Sequence, residues 1–143
     1  MITHPVGVVD TNIVILLGRL RAEDLPAEPV ISTVTLAELS VGPLVTDDAA
    51  ERAARQARLQ VTEAAFDPLP FDAPAARAFG RLAASLRRTG REVRPRALDV
   101  LIASVAVAND LPLYTCNPSD FTGIDELTLV AVPHPGTGSP PSA

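Results

Sequence analysis

The chain has 143 residues, 47% of them hydrophobic and 20% charged, with 17 acidic residues against 12 basic ones and a formal net charge of −5. That apolar share over that length fits one packed domain, and the negative balance excludes a protein that grips nucleic acid through overall positive charge. A single cysteine, Cys116, and two histidines near opposite ends, His4 and His134, exclude an internal disulfide and a multi-cysteine zinc site and disfavour histidine-based catalysis.

Along the chain, Val6-Gly7-Val8-Val9 is an all-apolar strand candidate (6–9), followed by Asp10 and a helix-like run over 11–20. Asp10 should therefore project from a strand's carboxyl edge, where ligands bind in open α/β sheets. The apolar run that Asp10 interrupts is too short to span a bilayer and has no basic leader, so a cytoplasmic protein without membrane association is expected. A short strand at 30–32 precedes a helix at 33–42, in which Glu38 stands among Leu36, Ala37 and Leu39 with no arginine within four residues. The helix at 47–65 carries Ala50, Ala53, Ala54, Ala57 and Val61 on one side, with Arg52, Arg55 and Arg58 nearby. That face is suited to core packing, or alternatively to a partner-binding groove.

Asp67-Pro68-Leu69-Pro70 ends that helix. The next, 74–89, places Ala75, Phe79, Leu82, Ala83 and Leu86 on one face. From Arg77 to Arg96 there are seven arginines and one acid, Glu92, either a solvated face or a patch that contacts phosphates. All twelve basic residues are arginine. After a loop bracketed by Gly90 and Pro95 comes a helix at 97–109 whose Leu98, Val100, Leu101, Ile102 and Val105 make it apolar nearly all round. Such a helix is expected to be buried, and Asp99 in its first turn then needs a partner or an ion. A strand near 112–115 leads into Asn117-Pro118-Ser119-Asp120, and another is expected near 128–132. The aperiodic stretch 133–143 reads as a disordered tail, leaving 1–132 as one domain.

Strands alternating with helices imply a parallel sheet and an α/β fold. Each acid has an ordinary structural explanation: Asp10 as a helix N-cap, Asp99 as a partner of the helix dipole, Asp120 as a turn former. Two of them nevertheless follow strand ends, and Glu38 and Asp99 sit on helices that should pack over the same edge. Carboxylates gathered in one cleft repel one another unless a divalent cation with oxygen ligands neutralises them, so a metal site is expected.

Val8-Val9-Asp10-Thr11-Asn12, Thr35-Leu36-Ala37-Glu38-Leu39, Ala97-Leu98-Asp99-Val100-Leu101-Ile102-Ala103 and Thr115-x-Asn117-x-x-Asp120-Phe121 together resemble the PIN domain, and within it the VapC branch of ribonuclease toxins. The resemblance covers about residues 6–132 and extends to Leu69-Pro70-Phe71-Asp72 before an alanine-rich helix. It implies a three-layer α/β/α sandwich and an endoribonuclease dependent on Mg2+ or Mn2+, with Asp10, Glu38 and Asp99 around the metal and Asp120 or Asn117 completing the site. Thr11, Asn12 and Thr115 would be supporting residues, and Arg87, Arg88, Arg91, Arg94 and Arg96 would contact RNA phosphates. The chemistry expected is in-line attack of an activated water on the scissile phosphate, with the cation stabilising the leaving oxygen. The implied partners are RNA, a cognate VapB-type antitoxin covering the acidic site from a groove between the helices at 11–20 and 33–65, and a second copy of the chain. One departure is Cys116, where relatives often carry arginine.

Two other α/β enzyme classes are disfavoured. A haloacid-dehalogenase-like phosphatase needs a second aspartate where Asn12 stands, and both it and a receiver domain need a lysine that this chain lacks. There is no P-loop. The remaining alternatives are a catalytically silent PIN-like binding module and an RNA-processing nuclease that is not a toxin.

Overall fold

A computed structural model describes residues 4–135, so residues 136–143 of the expected tail lie outside the described residues. Its centre is a four-stranded parallel sheet of β1 (Val6–Val9), β2 (Glu28–Val30), β3 (Leu113–Thr115) and β4 (Leu129–Ala131), in the order β2-β1-β3-β4. Five α-helices surround it: α1 (Thr11–Leu16), α2 (Thr33–Val41), α3 (Ala49–Ala65), α4 (Ala73–Arg88) and α5 (Ala97–Ala108). None is long and apolar enough to cross a membrane.

Period-two alternation in the central strands divides the core between the two faces of the sheet. Val8 and Leu113 turn to one face, where Leu82 and Leu86 of α4 and Val100, Ile102, Ala103 and Ala106 of α5 cover them. Val9 and Tyr114 turn to the other, against Ile13 and Val14 of α1 and Leu39 of α2. This is the α/β/α sandwich expected from the sequence, and Ser32, Asp48 and Asp72 each accept from a backbone N–H in the first turn of the helix that follows them.

Three local expectations differ. β2 runs over 28–30 rather than 30–32, because Glu28, Pro29 and Val30 align with Val6, Gly7 and Val8. Pro29 is tolerated because β2 lies at the sheet edge. The first helix stops being α-helical at Leu16 and continues as a 3₁₀ turn over Leu17–Arg19. The alanine side of α3 is not core: Ala50, Ala53, Ala54 and Ala57 are exposed and Val61 is 67% exposed, while α3 holds to the body through Leu59, Thr62 and Phe66.

Gly7 of β1 lies close against the Tyr114 ring. A methyl group added there would lie 2.7 Å from Cε1 and 2.9 Å from Cδ1 of the buried Tyr114 ring. Gly7→Ala is expected to cost about 1–3 kcal/mol, the usual cost of overpacking, seen as a lower urea midpoint with unchanged slope. An unaltered midpoint would show that the ring can give way.

Candidate active site

The carboxyl ends of β1 and β3 bring the expected residues together. Asp10 follows β1 directly, is 5% exposed, and caps α1 by accepting from the Thr11 backbone N–H at 2.8 Å. Its other oxygen accepts from the Thr115 hydroxyl at 2.8 Å and the Asn12 side-chain amide at 3.2 Å. The capping explanation therefore holds for one oxygen of this carboxylate, while the other joins a network with Thr115 and Asn12. Burial raises its pKa above the usual aspartate value, the hydrogen bonds from Thr115, Thr11 and Asn12 oppose the rise, and the charge of Asp120 adds to it.

The supporting residues form a chain around Asp10. Asn12 also donates to the Thr115 hydroxyl at 3.2 Å and accepts from the Cys116 backbone N–H at 3.2 Å. The Asn117 backbone N–H donates to the same Thr115 hydroxyl at 3.0 Å. Together these bonds tie the end of β3 to the start of α1. The Thr11 hydroxyl donates to Glu38 Oε1 at 2.6 Å. Thr11 has one proton to give, so the Thr35 hydroxyl, 3.0 Å away and fully buried, donates to Thr11. Glu38 is fixed in this way on the wall of α2, and burial is the main cause of its raised pKa, with Asp10 adding and Thr11 opposing.

Asp99, in the first turn of α5, has its pKa pushed up to about 6. Burial is the largest cause, followed by the negative charges of Asp10, Asp120 and Glu38, against which only Arg96 acts. All four acids are therefore electrostatically coupled through Asp99. Asp120 lies on a 3₁₀ turn over Pro118–Phe121 and acts on both Asp10 and Asp99, whereas the Asn117 side chain is exposed and meets the network through its backbone.

The arginines separate. Arg96 donates to the Asp120 carbonyl at 2.6 Å and the Ser119 carbonyl at 3.4 Å, so its guanidinium holds the turn that carries Asp120. Arg87, Arg91 and Arg94 line one pocket of about 550 Å³, while Arg88 faces another with Arg77 and Arg81. The buried Cys116 thiol has its pKa raised by burial and by Asp10, as suits a small packed residue. Thr35 stands in the Thr35-Leu36-Ala37-Glu38-Leu39 motif without a role in the sequence reading, although it precedes Glu38 by one helical turn and so shares its face.

The donor set suits a hard divalent cation: clustered carboxylates that raise one another's pKa, with hydroxyl and amide groups holding two of them in place. The ligand shell is not closed in advance, because among the described residues no three His, Cys, Asp or Glu side chains stand together closely enough to share an ion.

The PIN-domain family model matches residues 7–127. Ribonuclease VapC5 of Mycobacterium tuberculosis is 39% identical over 133 residues, which span 91% of this chain and 96% of that protein. Ribonuclease VapC of Rickettsia bellii is 28% identical over 130 residues, 88% of this chain and 96% of its own. Among solved structures, a member of the VapBC family of toxin-antitoxin systems, VapBC-5 from Mycobacterium tuberculosis, superposes with a TM-score of 0.78 at 35% identity, covering 90% of this chain and 99% of that one.

Proposed function

Since this chain belongs to the PIN-domain family, we propose that it is an endoribonuclease, the toxin of a type II toxin-antitoxin pair, that hydrolyses RNA phosphodiester bonds with a divalent cation, Mg2+ or Mn2+, held by Asp10, Glu38, Asp99 and Asp120. The observation that carries the reading is the convergence of these four acids on one sheet edge, close enough for the other three to raise the pKa of Asp99. Bound there, the cation would neutralise the cluster and supply Lewis acidity to a phosphodiester.

The chain's own residues then have distinct tasks. Thr115, Asn12 and the Thr11 amide orient Asp10, and the Thr11 hydroxyl, backed by Thr35, orients Glu38. Arg96 holds the Asp120 turn against the start of α5. Arg87, Arg91 and Arg94 line a wall suited to flanking phosphates, contacts that position a strand without reading bases. Arg96 is tethered to carbonyls, and its contribution is to the shape of the site.

The partner belongs on the other side. Around α1, α2 and α3 the surface exposes Ile15, Val41, Leu44 (83%), Val45 and Val61 (67%). Exposed apolar residues grouped in this way mark a protein interface, and this surface borders Glu38. An antitoxin of the VapB type seated there would cover the acids, and the toxin is taken to pair with a second copy of itself.

The test is digestion of total RNA by the partner-free protein in Mg2+ or Mn2+, with the Asp10→Asn variant in parallel. Discrete fragments should form with the native chain, be absent with the variant, and disappear when a co-expressed upstream partner is added. A folded protein that leaves all RNA intact overturns the ribonuclease reading.

A further inference from the structure

On the ribonuclease reading above, we infer that Arg58, braced by Arg55, forms a subsite for a backbone phosphate of the RNA adjacent to the one that is cut. A pocket of about 360 Å³ opens beside Glu38, with Thr11, Glu38 and Leu39 on one wall and Glu51, Arg55 and Arg58 on the other. Arg55 and Arg58 lie three residues apart on α3 and so share a helix face.

The two arginines differ in what they hold. Arg55 donates through Nε to Glu51 at 3.0 Å and through Nη1 to the Gly42 carbonyl at 2.9 Å, which anchors α3 to the end of α2. Arg58 is half-buried as a residue, and its guanidinium engages no acceptor among the described residues. Glu38 faces the same pocket and takes its hydrogen bond from Thr11, with no ion pair to either arginine. Glu51 also lines the pocket and is paired with Arg55, so the charges left without an ion partner are Arg58, an anion-accepting donor on one wall, and Glu38, a carboxylate on the other.

A nucleic acid strand satisfies both walls. One phosphate pairs with Arg58 while the next lies over the acids, where a cation compensates its charge. An acidic peptide would bring carboxylates against Glu38 and Asp10 with Arg58 alone to offset them. The second arginine pocket, with Arg87, Arg91, Arg94 and the acid Glu92, contains none of the four acids, and Arg96 joins its loop to the turn of Asp120.

The experiment measures binding of a fluorescein-labelled oligo(U) RNA to the full chain and to Arg58→Ala, Arg58→Lys and Arg58→Glu over a range of salt, with cleavage of total RNA followed in parallel. Arg81→Ala, whose partner is the exposed Glu126, serves as a control. Arg58→Ala is expected to weaken binding about 5- to 10-fold and to lower the salt slope by about 0.7, the contribution of one phosphate contact on a single strand. Arg58→Lys should recover most of the affinity, Arg58→Glu should lose more, Arg81→Ala should match the native chain, and the variants should need more RNA to reach an unchanged maximal rate. If the native chain cuts RNA while Arg58→Ala and Arg58→Glu keep both affinity and slope, the subsite is overturned and the ribonuclease reading stands. If only antitoxin binding weakens, the pocket belongs to the protein partner and the inference again fails. A native chain that neither binds nor cuts RNA overturns both.

Discussion

Asp99→Asn is expected to reduce RNA cleavage by about 100-fold or more, the scale seen when a preorganised electrostatic group is lost from an active site, and at the same time to make the metal-free protein more stable. The second half follows from linkage. The folded-state pKa of Asp99 is pushed up to about 6 from an ordinary 3.8, so the folded protein holds a proton that the unfolded chain has released. Stability contributed by that proton is present below about pH 4 and is lost as pH rises through about 6. The full shift corresponds to about 3 kcal/mol, and because Asp99 is only half-buried, solvent screening brings the expected gain down to about 1 kcal/mol. Asparagine carries no charge at any of these pH values. The variant should therefore match the native protein below about pH 4 and exceed it at pH 8, with a thermal midpoint higher there by about 3–5 °C. Undiminished cleavage would remove Asp99 from the site, and a variant less stable than the native chain at pH 8 would refute the repulsion account.

Removal of divalent cations should have an effect of similar size on activity. A chelator is expected to abolish cleavage, and restoring Mg2+ or Mn2+ should recover it. The same ions should raise the thermal midpoint of the native protein, because an ion that binds only the folded state adds about 2.7 kcal/mol at a concentration one hundred times its dissociation constant. The gain should be larger at pH 8 than at pH 5. Asp10, Glu38 and Asp99 all have raised pKa values, so protons compete with the ion for the same oxygens as pH falls, and ion binding should release protons near pH 6. In Asp99→Asn the ion-dependent gain should shrink, since one ligand and much of the repulsion are gone. Midpoints that ignore both ions at pH 8, together with cleavage that survives chelation, would exclude the carboxylate cluster as a metal centre.

The exposed alanine side of α3 shows where pattern reading and tertiary structure part. Alanines at helical spacing can serve a buried interface or an open one with the same sequence, and here α3 attaches to the body by its other face through Leu59, Thr62 and Phe66. The basic run from Arg77 to Arg96 likewise reads as one patch along the chain. On α4 and the loop after it, the arginines point in several directions, so Arg88 joins Arg77 and Arg81, Arg87 joins Arg91 and Arg94, and Arg96 turns to the carbonyls of Ser119 and Asp120.

By itself the sequence determined the alternation of strands and helices and the burial of α5 from Val100 to Ala106, though not of Leu98, and it singled out four acids, because apolar periodicity and an acid in apolar surroundings are local signals that hold wherever the segment packs. Only the tertiary structure decided which groups meet. The order β2-β1-β3-β4 sets β1 beside β3, and that pairing puts the Thr115 hydroxyl on Asp10 across a separation of 105 residues. The packing of α3 against α2 brings Arg58 into a pocket with Glu38. Hydrogen bonds and charge repulsion act over a few ångströms of space, and distance along the chain carries almost no information about them until the sheet has formed.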